Sequence, residues 1–277
     1  MNILYRCLAF CVCITFIFVS LTDLYAQEEG KEVRWEPELT EQWEPIPRKI
    51  KAPKASISQP PSDATVLFDG TDLSKWEKAP GFFMDMSNIP AYTQKIAEEN
   101  QKADWTLEND YMTVKPGAGN IQTKKEFTDF QLHVEWRTPK KIKGEGQGRG
   151  NSGIFLQGLY EVQVLDSYNN RTYSNGQAGS IYKQQRPSVN ASLPPGEWQS
   201  YDILYEAPIF SEDSSLAKPA FVTVLHNGVL IQNHVDIKGP TVYIGLPHYA
   251  YHKRKMPIIL QDHSNLVSYR NIWIREL

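Results

Sequence analysis

Residues 153–167 read GIFLQGLYEVQVLDS, and this stretch sets the expectation for the whole fold. Its apolar residues are mostly leucine, aromatic or β-branched, and Gly158 separates two such runs. In the second run, Val162 and Val164 alternate with Glu161 and Gln163. A period of two places the valines on one face of a strand and the polar pair on the other. The stretch therefore predicts a strand with one buried and one polar side.

Strand-like runs of the same kind recur along the chain. They include DFQLHVEWRTP, WQSYDILYE, FVTVLHNGVLIQN, PIILQDH and VSYRNIWIREL, separated by Gly, Pro, Asn and Asp. HNGV is typical of a hairpin with a type I′ turn. A helix is predicted only over about residues 92–102. Ten or more short strands without alternating helices predict an all-β protein, either an antiparallel sandwich or a barrel.

The first 26 residues have the layout of a secretory signal peptide. Arg6 precedes an apolar run from Cys7 to Leu21, and Ala26 stands before a polar stretch. The apolar run of about 15 residues is shorter than the roughly 20 that a membrane-spanning helix needs. We therefore expect cleavage after Ala26, export to the periplasm or beyond it, and no stable membrane anchor.

Composition narrows the function classes. The three cysteines all lie in the leader, so the mature chain would have no disulfide, no cysteine-ligated zinc and no cysteine nucleophile. The net charge is −3 and there is no basic block, which argues against nucleic acid as a partner. Seven Trp and fourteen Tyr suit the stacking of sugar rings, although the packing of β proteins uses the same residues.

Two segments fall outside the strand pattern. Residues 27–62 are charged and Pro-rich, which predicts a tether or strap in front of a domain spanning residues 63–277. Residues of about 79–103 form a long amphipathic insertion that contains the predicted helix.

Glu161 and Asp166 are the candidate catalytic carboxylates. They stand five positions apart, so they face opposite sides of a regular strand, and a one-residue bulge after Gln163 would bring both to one side. Two carboxyls in one groove divide acid and base roles, because each opposes the ionisation of the other. Ordinary solvated strand residues are the alternative interpretation.

Further polar residues surround this pair in the predicted fold. The Gly-rich loop 144–150 leads to Arg149 and Asn151, and no helix follows it, which argues against a phosphate cradle. Near the end of the chain, Gln261 and His263 share one face, and the imidazole is suited to act as a general base or as a hydrogen-bond donor. The predicted substrate-binding residues are Gln163, Glu135, Arg149, Asn151, Gln261 and Gln157, and His263 is the third catalytic candidate.

Metal and nucleophile motifs give weaker signals. His248 and His252 have the spacing of a helical metal pair, but Pro247 and the neighbouring aromatic residues favour a loop. The sequence has no GxSxG, HExxH or Walker motif. We therefore predict no metal at the site.

Five stretches, LFDGTDLSKW, NSGIFLQGLYEVQVLDS, PPGEWQSYDILY, HNGV and PIILQDHSNLVSYRNIWIREL, occur in the order typical of one family. Over about residues 63–277 the chain resembles the 3-keto-disaccharide hydrolase domain family, which is abundant among exported bacterial proteins. The resemblance implies a concanavalin A-like jelly roll of two antiparallel sheets with a concave groove, and an oligosaccharide or glycoside substrate. Calcium is a common structural ion on that fold, although no Asp-rich loop demands it here.

YEVQVLD is also similar to the E-x-D-x-x-E strand of laminarinase-type glucanases. Glu161 matches the first Glu and Asp166 the last acid, whereas Gln163 replaces the middle Asp. That replacement argues against a retaining glycosidase, which needs two carboxyls about 5 Å apart.

The family resemblance implies a different reaction. A base removes the C2 proton of a 3-keto-glycoside, the enolate expels the aglycone, and water adds to the alkene that remains. Glu161 or Asp166 would be the base and the other would assist the leaving group, with the order left open. Gln163, Arg149 and His263 would hold the 3-keto oxygen and neighbouring hydroxyls.

Three other functions stay open on the sequence. A carbohydrate-binding module would bind the sugar without turning it over. A conventional retaining glycosidase would act on unoxidised glucan. A structural surface protein would carry the same acids as solvated residues. Release of aglycone from a 3-keto-glycoside separates the predicted reaction from all three.

Overall fold

The computed structural model describes residues 34–53, 59–81, 94–95 and 101–277. The predicted leader at residues 1–26 and most of the predicted insertion lie outside these residues. Of the predicted helix, Gln94 and Lys95 are helical, whereas Lys102 pairs with Glu77 in an extended bridge. Among the described residues no helix is long and apolar enough to cross a membrane. Residues 37–277 form one compact unit.

Strands dominate the described residues. In chain order they are β1 (Arg48–Lys49), β2 (Thr65–Phe68), β3 (Trp76–Lys78), β4 (Thr106–Glu108), β5 (Tyr111–Thr113), β6 (Ile121–Thr123), β7 (Phe130–Arg137), β8 (Ser152–Leu156), β9 (Tyr160–Val164), β10 (Val189–Asn190), β11 (Gln199–Glu206), β12 (Ile209–Phe210), β13 (Leu216–Lys218), β14 (Phe221–His226), β15 (Val229–Asp236), β16 (Ile259–Leu260) and β17 (Ser268–Glu276). Short 3-10 helices are formed by Pro37–Thr40, Gly146–Gly148 and Ser174–Gly176.

Two large antiparallel sheets build the core. The eight-stranded sheet has the order β15-β14-β11-β7-β17-β5-β4, with β2 also paired to β17, and the five-stranded sheet has the order β3-β6-β16-β8-β9. The strand pairs within both sheets are antiparallel, so the predicted all-β sandwich is confirmed. Such sheets bury one face of each strand against the other sheet.

Strand β7 shows how the sequence pattern becomes the core. Leu132, Val134 and Trp136 point inward and are fully buried, as their alternation predicts. Removing side chains of this size from water stabilises the fold by about 1.5–3 kcal/mol each. Across the interior, the Tyr201 hydroxyl of β11 donates to the backbone carbonyl of Gln163 in β9 at 2.9 Å. The two sheets are therefore joined by polar contacts as well as by packing.

The hairpin between β14 and β15 has the predicted turn. Asn227 and Gly228 both adopt positive φ values, of 52° and 76°. A type I′ turn requires this at both central positions, which explains the choice of Asn-Gly. The prediction from HNGV is confirmed.

Residues 37–53, here called the strap, lie on the surface of the sandwich. The Asn175 side chain donates to the Thr40 carbonyl and accepts from the Gln42 amide, both at 2.9 Å. Lys183 Nζ donates to the Pro37 carbonyl at 2.7 Å. Strand β1 of the strap pairs in parallel with β10. These bonds fasten the strap to the loop that follows β9.

Candidate active site

A cavity of about 700 Å³ opens beside β8 and β9, on the face of the five-stranded sheet that points away from the core. The outer edge of β9 is covered by the loop that follows it. The backbone N–H of Gln163 donates to the Ser180 carbonyl, and the backbone N–H of Gly179 donates to the backbone carbonyl of Gln163. Further walls come from the strap, the Gly-rich loop and residues near 241–243 and 261–263. A pocket of this size accepts a small sugar derivative.

Glu161 lies at the floor of this cavity and is 4% exposed. Burial raises the pKa of its carboxyl to about 8, because water cannot solvate the ionised form. The Glu161 backbone N–H donates to Thr241 Oγ1 at 2.9 Å. A carboxyl in this state can carry a proton near neutral pH, which an exposed glutamate cannot.

Gly153 of β8 makes room for that carboxyl. A Cβ on this glycine would lie 2.5 Å from Glu161 Oε1 and 2.8 Å from Phe155 Cε2. Contacts that short do not occur between real side chains, so a side chain here would displace the carboxyl. The glycine at the start of GIFLQG therefore fixes where Glu161 can lie.

Three amide side chains extend from Glu161 into the Gly-rich loop. Gln163 Nε2 donates to Gln147 Oε1 at 3.1 Å and to Asn151 Oδ1 at 3.2 Å. The carboxamide oxygen of Gln163 lies 2.6 Å from Glu161 Oε1. All three amides line the cavity. The sequence predicts Gln163 and Asn151 near Glu161 but not Gln147. Gln147 stands between glycines in GEGQGRG, where no strand pattern indicates the direction of its side chain.

Aromatic residues form one wall of the cavity. The hydroxyls of Tyr173 and Tyr182 lie 2.6 Å apart, and Tyr243 and Phe155 complete the wall. Burial raises the pKa of both hydrogen-bonded tyrosines well above the ordinary value, so both keep their protons. One hydroxyl donates to the other, which leaves one O–H for a ligand. No periodicity marks these tyrosines in the sequence, because they lie in long loops.

Gln261 and His263 lie where β16 leads into the final loop, and both line the cavity. The backbone N–H of Gln261 donates to the Gly153 carbonyl at 3.0 Å. The side-chain oxygen of Gln261 is buried and has no hydrogen-bond partner among the described residues. His263 is exposed at the rim. Between them, Asp262 accepts from the backbone amides of Gly117 and Gly119, which makes it a loop anchor.

Asp166 lies elsewhere, and the predicted bulge after Gln163 is absent. β8 and β9 pair in regular register up to Val164, where the strand ends. Asp166 follows in a loop, where Arg149 Nε donates to its Oδ2 at 2.7 Å. The ion pair satisfies both side chains, and neither is among the described residues that line the cavity. The polar loop after the strand, rather than a bulge, accounts for the charge at this position.

Glu135 and Gln157 were also predicted to meet the substrate, and the structure places both in the protein interior. Glu135 belongs to the eight-stranded sheet, is fully buried, and accepts from Arg270 Nε at 2.7 Å. Gln157 adopts a φ of 50° in the tight turn between β8 and β9. Its side chain donates to the Arg254 carbonyl and accepts from the Tyr205 hydroxyl. Both residues stabilise the fold.

Possible metal ligands do not converge in the described part of the chain. No group of three or more His, Cys, Asp or Glu side chains is close enough there to hold an ion. His252 of the candidate helical pair lies in a loop and contacts the Tyr160 hydroxyl at 2.7 Å. A structural calcium ion stays a prediction.

The family of the chain follows from its match to a domain model. The model of the 3-keto-alpha-glucoside-1,2-lyase-like domain matches residues 63–275. The chain belongs to this family. The resemblance seen in the sequence is thereby confirmed. The residues that line the cavity lie within the matched range, except Glu41 of the strap, which precedes it.

Two solved structures from Parabacteroides distasonis ATCC 8503 resemble this member of the family, and each is described as a "putative glycosyl hydrolase". The first is 48% identical, covers 87% of this chain and 96% of its own, and has a TM-score of 0.71. The second is 19% identical, covers 77% and 94%, and has a TM-score of 0.50, so it supports the fold alone. A search of curated proteins gave no match.

Proposed function

We propose that this protein is a carbohydrate-active enzyme that cleaves the glycosidic bond of 3-keto-glycosides by elimination and hydration. Membership of the 3-keto-alpha-glucoside-1,2-lyase-like family and the 48% identical glycosyl hydrolase relative support a carbohydrate-active hydrolase in general. The finer assignment, to a sugar oxidised at C3, is our inference from the family and from the cavity.

The observation that carries the proposal is one buried carboxyl, Glu161, at the floor of a cavity with amide and aromatic walls. A retaining glycosidase needs two carboxyls about 5–5.5 Å apart. In the glucanase strand pattern Gln163 replaces the middle acid. Asp166 matches the last acid, but it is bound to Arg149 and does not line the cavity. Asp262 and Glu41 also line the cavity, but Asp262 accepts from two backbone amides and Glu41 comes from the strap. With Glu161 as the carboxyl buried at its floor, the cavity suits a reaction that moves protons and needs no nucleophile.

The proposed chemistry starts from the acidity of the C2 proton beside the C3 ketone. A base takes this proton, the electron pair moves toward the ketone oxygen, and the resulting enolate expels the aglycone from C1. Water then adds across the C1–C2 alkene to give the free 3-keto sugar. Three groups are needed: a base, donors for the enolate oxygen, and a proton for the leaving oxygen.

The cavity residues suit these tasks. Glu161 is the proton-transferring carboxyl, and His263 is the imidazole in the cavity lining. The remaining O–H of the Tyr173–Tyr182 pair is the proposed donor to the enolate oxygen. The carboxamide of Gln261 binds a sugar hydroxyl.

The test uses a chromogenic glucoside and its 3-keto form, incubated with the purified protein in D₂O. We expect aglycone only from the 3-keto form, with deuterium at C2 of the product. Glu161→Gln should lower the rate at least 100-fold, whereas Glu108→Gln, on an exposed strand, should leave it unchanged.

The other outcomes identify the competing functions. Comparable cleavage of the unoxidised glucoside, without deuterium at C2, would make the protein a conventional glycosidase. Binding of the 3-keto-glucoside without any release of aglycone would make it a carbohydrate-binding module. Either result rejects the proposal.

A further inference from the structure

The hydrogen bonds of Gln147 fix the direction of its amide. Its Nε2 donates to the Gly176 carbonyl at 2.8 Å and to Thr172 Oγ1 at 2.9 Å. A backbone carbonyl can only accept, so the NH₂ group must face Gly176. The side-chain oxygen of Gln147 is therefore turned toward Gln163.

Asn151 is fixed in the same way. Its Nδ2 donates to the backbone carbonyl of Gln147 at 2.7 Å, so its Oδ1 is also turned toward Gln163. Gln163 thus meets two acceptors, at 3.1 and 3.2 Å, and must present its NH₂ group to them. Two backbone carbonyls, at Gly176 and Gln147, set the direction of all three amides.

The far end of this chain of amides meets Glu161. The carboxamide oxygen of Gln163 lies 2.6 Å from Glu161 Oε1. Two oxygen atoms approach this closely only when a proton lies between them, and Gln163 has none to give at that end. In the opposite orientation the NH₂ group of Gln163 would donate to Glu161 Oε1 and, at 3.3 Å, to the Ser152 carbonyl. The Gln163 oxygen would then lie against the oxygens of Gln147 and Asn151, whose directions are fixed by the backbone carbonyls of Gly176 and Gln147. The arrangement therefore suits a protonated Glu161.

We propose that Gln163, oriented by Gln147 and Asn151, is a positioning residue that holds Glu161 in its protonated form and so makes Glu161 the acid that protonates the leaving oxygen. The role as acid rests on the proposed function, whereas the protonated state rests on the geometry alone. Burial favours the same state, since it raises the pKa of Glu161 to about 8. The base must then be another group, and His263 is the imidazole in the cavity lining.

The proton balance of the cycle closes. As the C1–O bond breaks, its electron pair goes to the aglycone oxygen, which takes the proton of Glu161. The carboxylate left behind accepts a proton from the water that adds at C1. The protonated base exchanges its proton with solvent and delivers one proton to C2. The sum is one 3-keto-glycoside and one water converted to a 3-keto sugar and a free aglycone.

Other titratable groups face Glu161 from the surrounding elements. They are Tyr173 and Tyr182 in the loop after β9, Tyr269 from the core, Tyr243 on the aromatic wall, Asp262 and His263 beside β16, and Glu41 of the strap. The nearby Lys183 directs its Nζ to the Pro37 and Tyr243 carbonyls. None of the interactions described for these groups supplies Glu161 with an ion-pair partner.

The test measures the protonation of Glu161 directly, by ¹³C NMR or infrared titration of protein labelled at the glutamate carboxyl, without substrate. The signal is assigned by its loss in Glu161→Gln. We expect a protonated carboxyl at pH 7 in the wild type. Gln163→Leu removes the acceptor, and Asn151→Ala removes one of the two oxygens that hold the Gln163 NH₂ group, so that the amide can turn and donate to the carboxylate. Each should lower the pKa by about one pH unit, the worth of one hydrogen bond.

Gln261→Leu is the matched control. It changes a cavity amide that is not hydrogen-bonded to Gln147, Asn151 or Gln163, so the titration of Glu161 should stay unchanged. Thermal unfolding checks that each variant is folded. If Gln163→Leu does not fold, the titration of Asn151→Ala tests the proposal. An ionised Glu161 at pH 7, or an unchanged titration in both variants, would overturn the proposal.

The acid role is tested separately, by the pH dependence of kcat/KM on the 3-keto-glucoside. We expect the rate to fall as Glu161 ionises, and this fall to move to lower pH in Gln163→Leu. A rate that rises as Glu161 ionises would make it the base. If the wild type releases no aglycone at all, the proposed function is lost, but the titration still decides whether the amides hold the proton.

Discussion

Replacing Gly153 by alanine tests whether the position of the Glu161 carboxyl controls catalysis. The added Cβ would lie 2.5 Å from Glu161 Oε1 and 3.0 Å from its Cδ, against an ordinary contact of at least 3.4 Å. The carboxyl must therefore move by roughly 1 Å, because β8 is held by strands on both sides. A misplacement of this size costs a catalytic group about 100-fold in rate. We expect kcat/KM to fall by about that factor.

The same substitution should change stability much less. Alanine is favoured over glycine in a strand by about 0.5–1 kcal/mol, whereas overpacking costs about 1–3 kcal/mol. The net loss should be about 1 kcal/mol, which leaves the protein folded at assay temperature. Urea unfolding gives this value, and the assay with the 3-keto-glucoside gives the rate.

Gly81→Ala is the matched control, because a Cβ at Gly81 meets no atom of the described residues within 4 Å. It should keep both rate and stability. A Gly153→Ala protein with kcat/KM within threefold of the wild type would refute the argument that this glycine positions the carboxyl. A variant that fails to fold would instead show that the clash is relieved by the backbone.

Three further predictions concern charge and stability, each measured by chemical unfolding. Although burial alone would lower the pKa of His133, the hydrogen bond to Asp202 and the nearby Glu135 carboxylate raise it to about 9. The stabilisation by the protonated imidazole is complete below pH 6.5 and is lost as pH rises through 9. His133→Gln should remove this loss, which is on the order of 3 kcal/mol. The raised pKa of Glu161 makes folding progressively less favourable between pH 4.5 and 8, so Glu161→Gln should be inactive yet more stable than the wild type at pH 8 by on the order of 3 kcal/mol, with no difference near pH 4. Asp166→Asn breaks a buried ion pair and should cost about 3 kcal/mol while the folded protein keeps its turnover; a fully stable but inactive variant would return this residue to the chemistry.

Much of the fold could be predicted from the sequence, because strand alternation and turn residues are local signals. The inward face of β7 and the Asn227-Gly228 turn follow directly from them. The burial of the other face of β7 could not be predicted in this way. His133 and Glu135 alternate as exposed residues do, yet both are buried. The pairing of β17 with β7 changes register between Arg270 and Trp273, and the side chains of Arg270 and Trp273 cover Glu135 and His133.

The site was only partly predictable for a related reason. Glu161 and Gln163 belong to a strand whose period fixes their direction, and the structure brings them together. Asp166 lies two residues beyond the strand end, where alternation has no meaning. Tyr173 and Tyr182 come from loops whose course depends on contacts made far along the chain. Sequence spacing carries little information about such residues.

The strap contributes to the cavity a wall that lies outside the family domain. Residues 37–53 lie ahead of the matched range of 63–275, yet Glu41 lines the cavity and Asn175 of the neighbouring loop is held by strap backbone. A recombinant protein trimmed to the family boundary would keep the strands of both large sheets and lose one side of the opening. We therefore expect relatives with different N-terminal segments to share the floor of this cavity and to differ in the ligands that its opening admits.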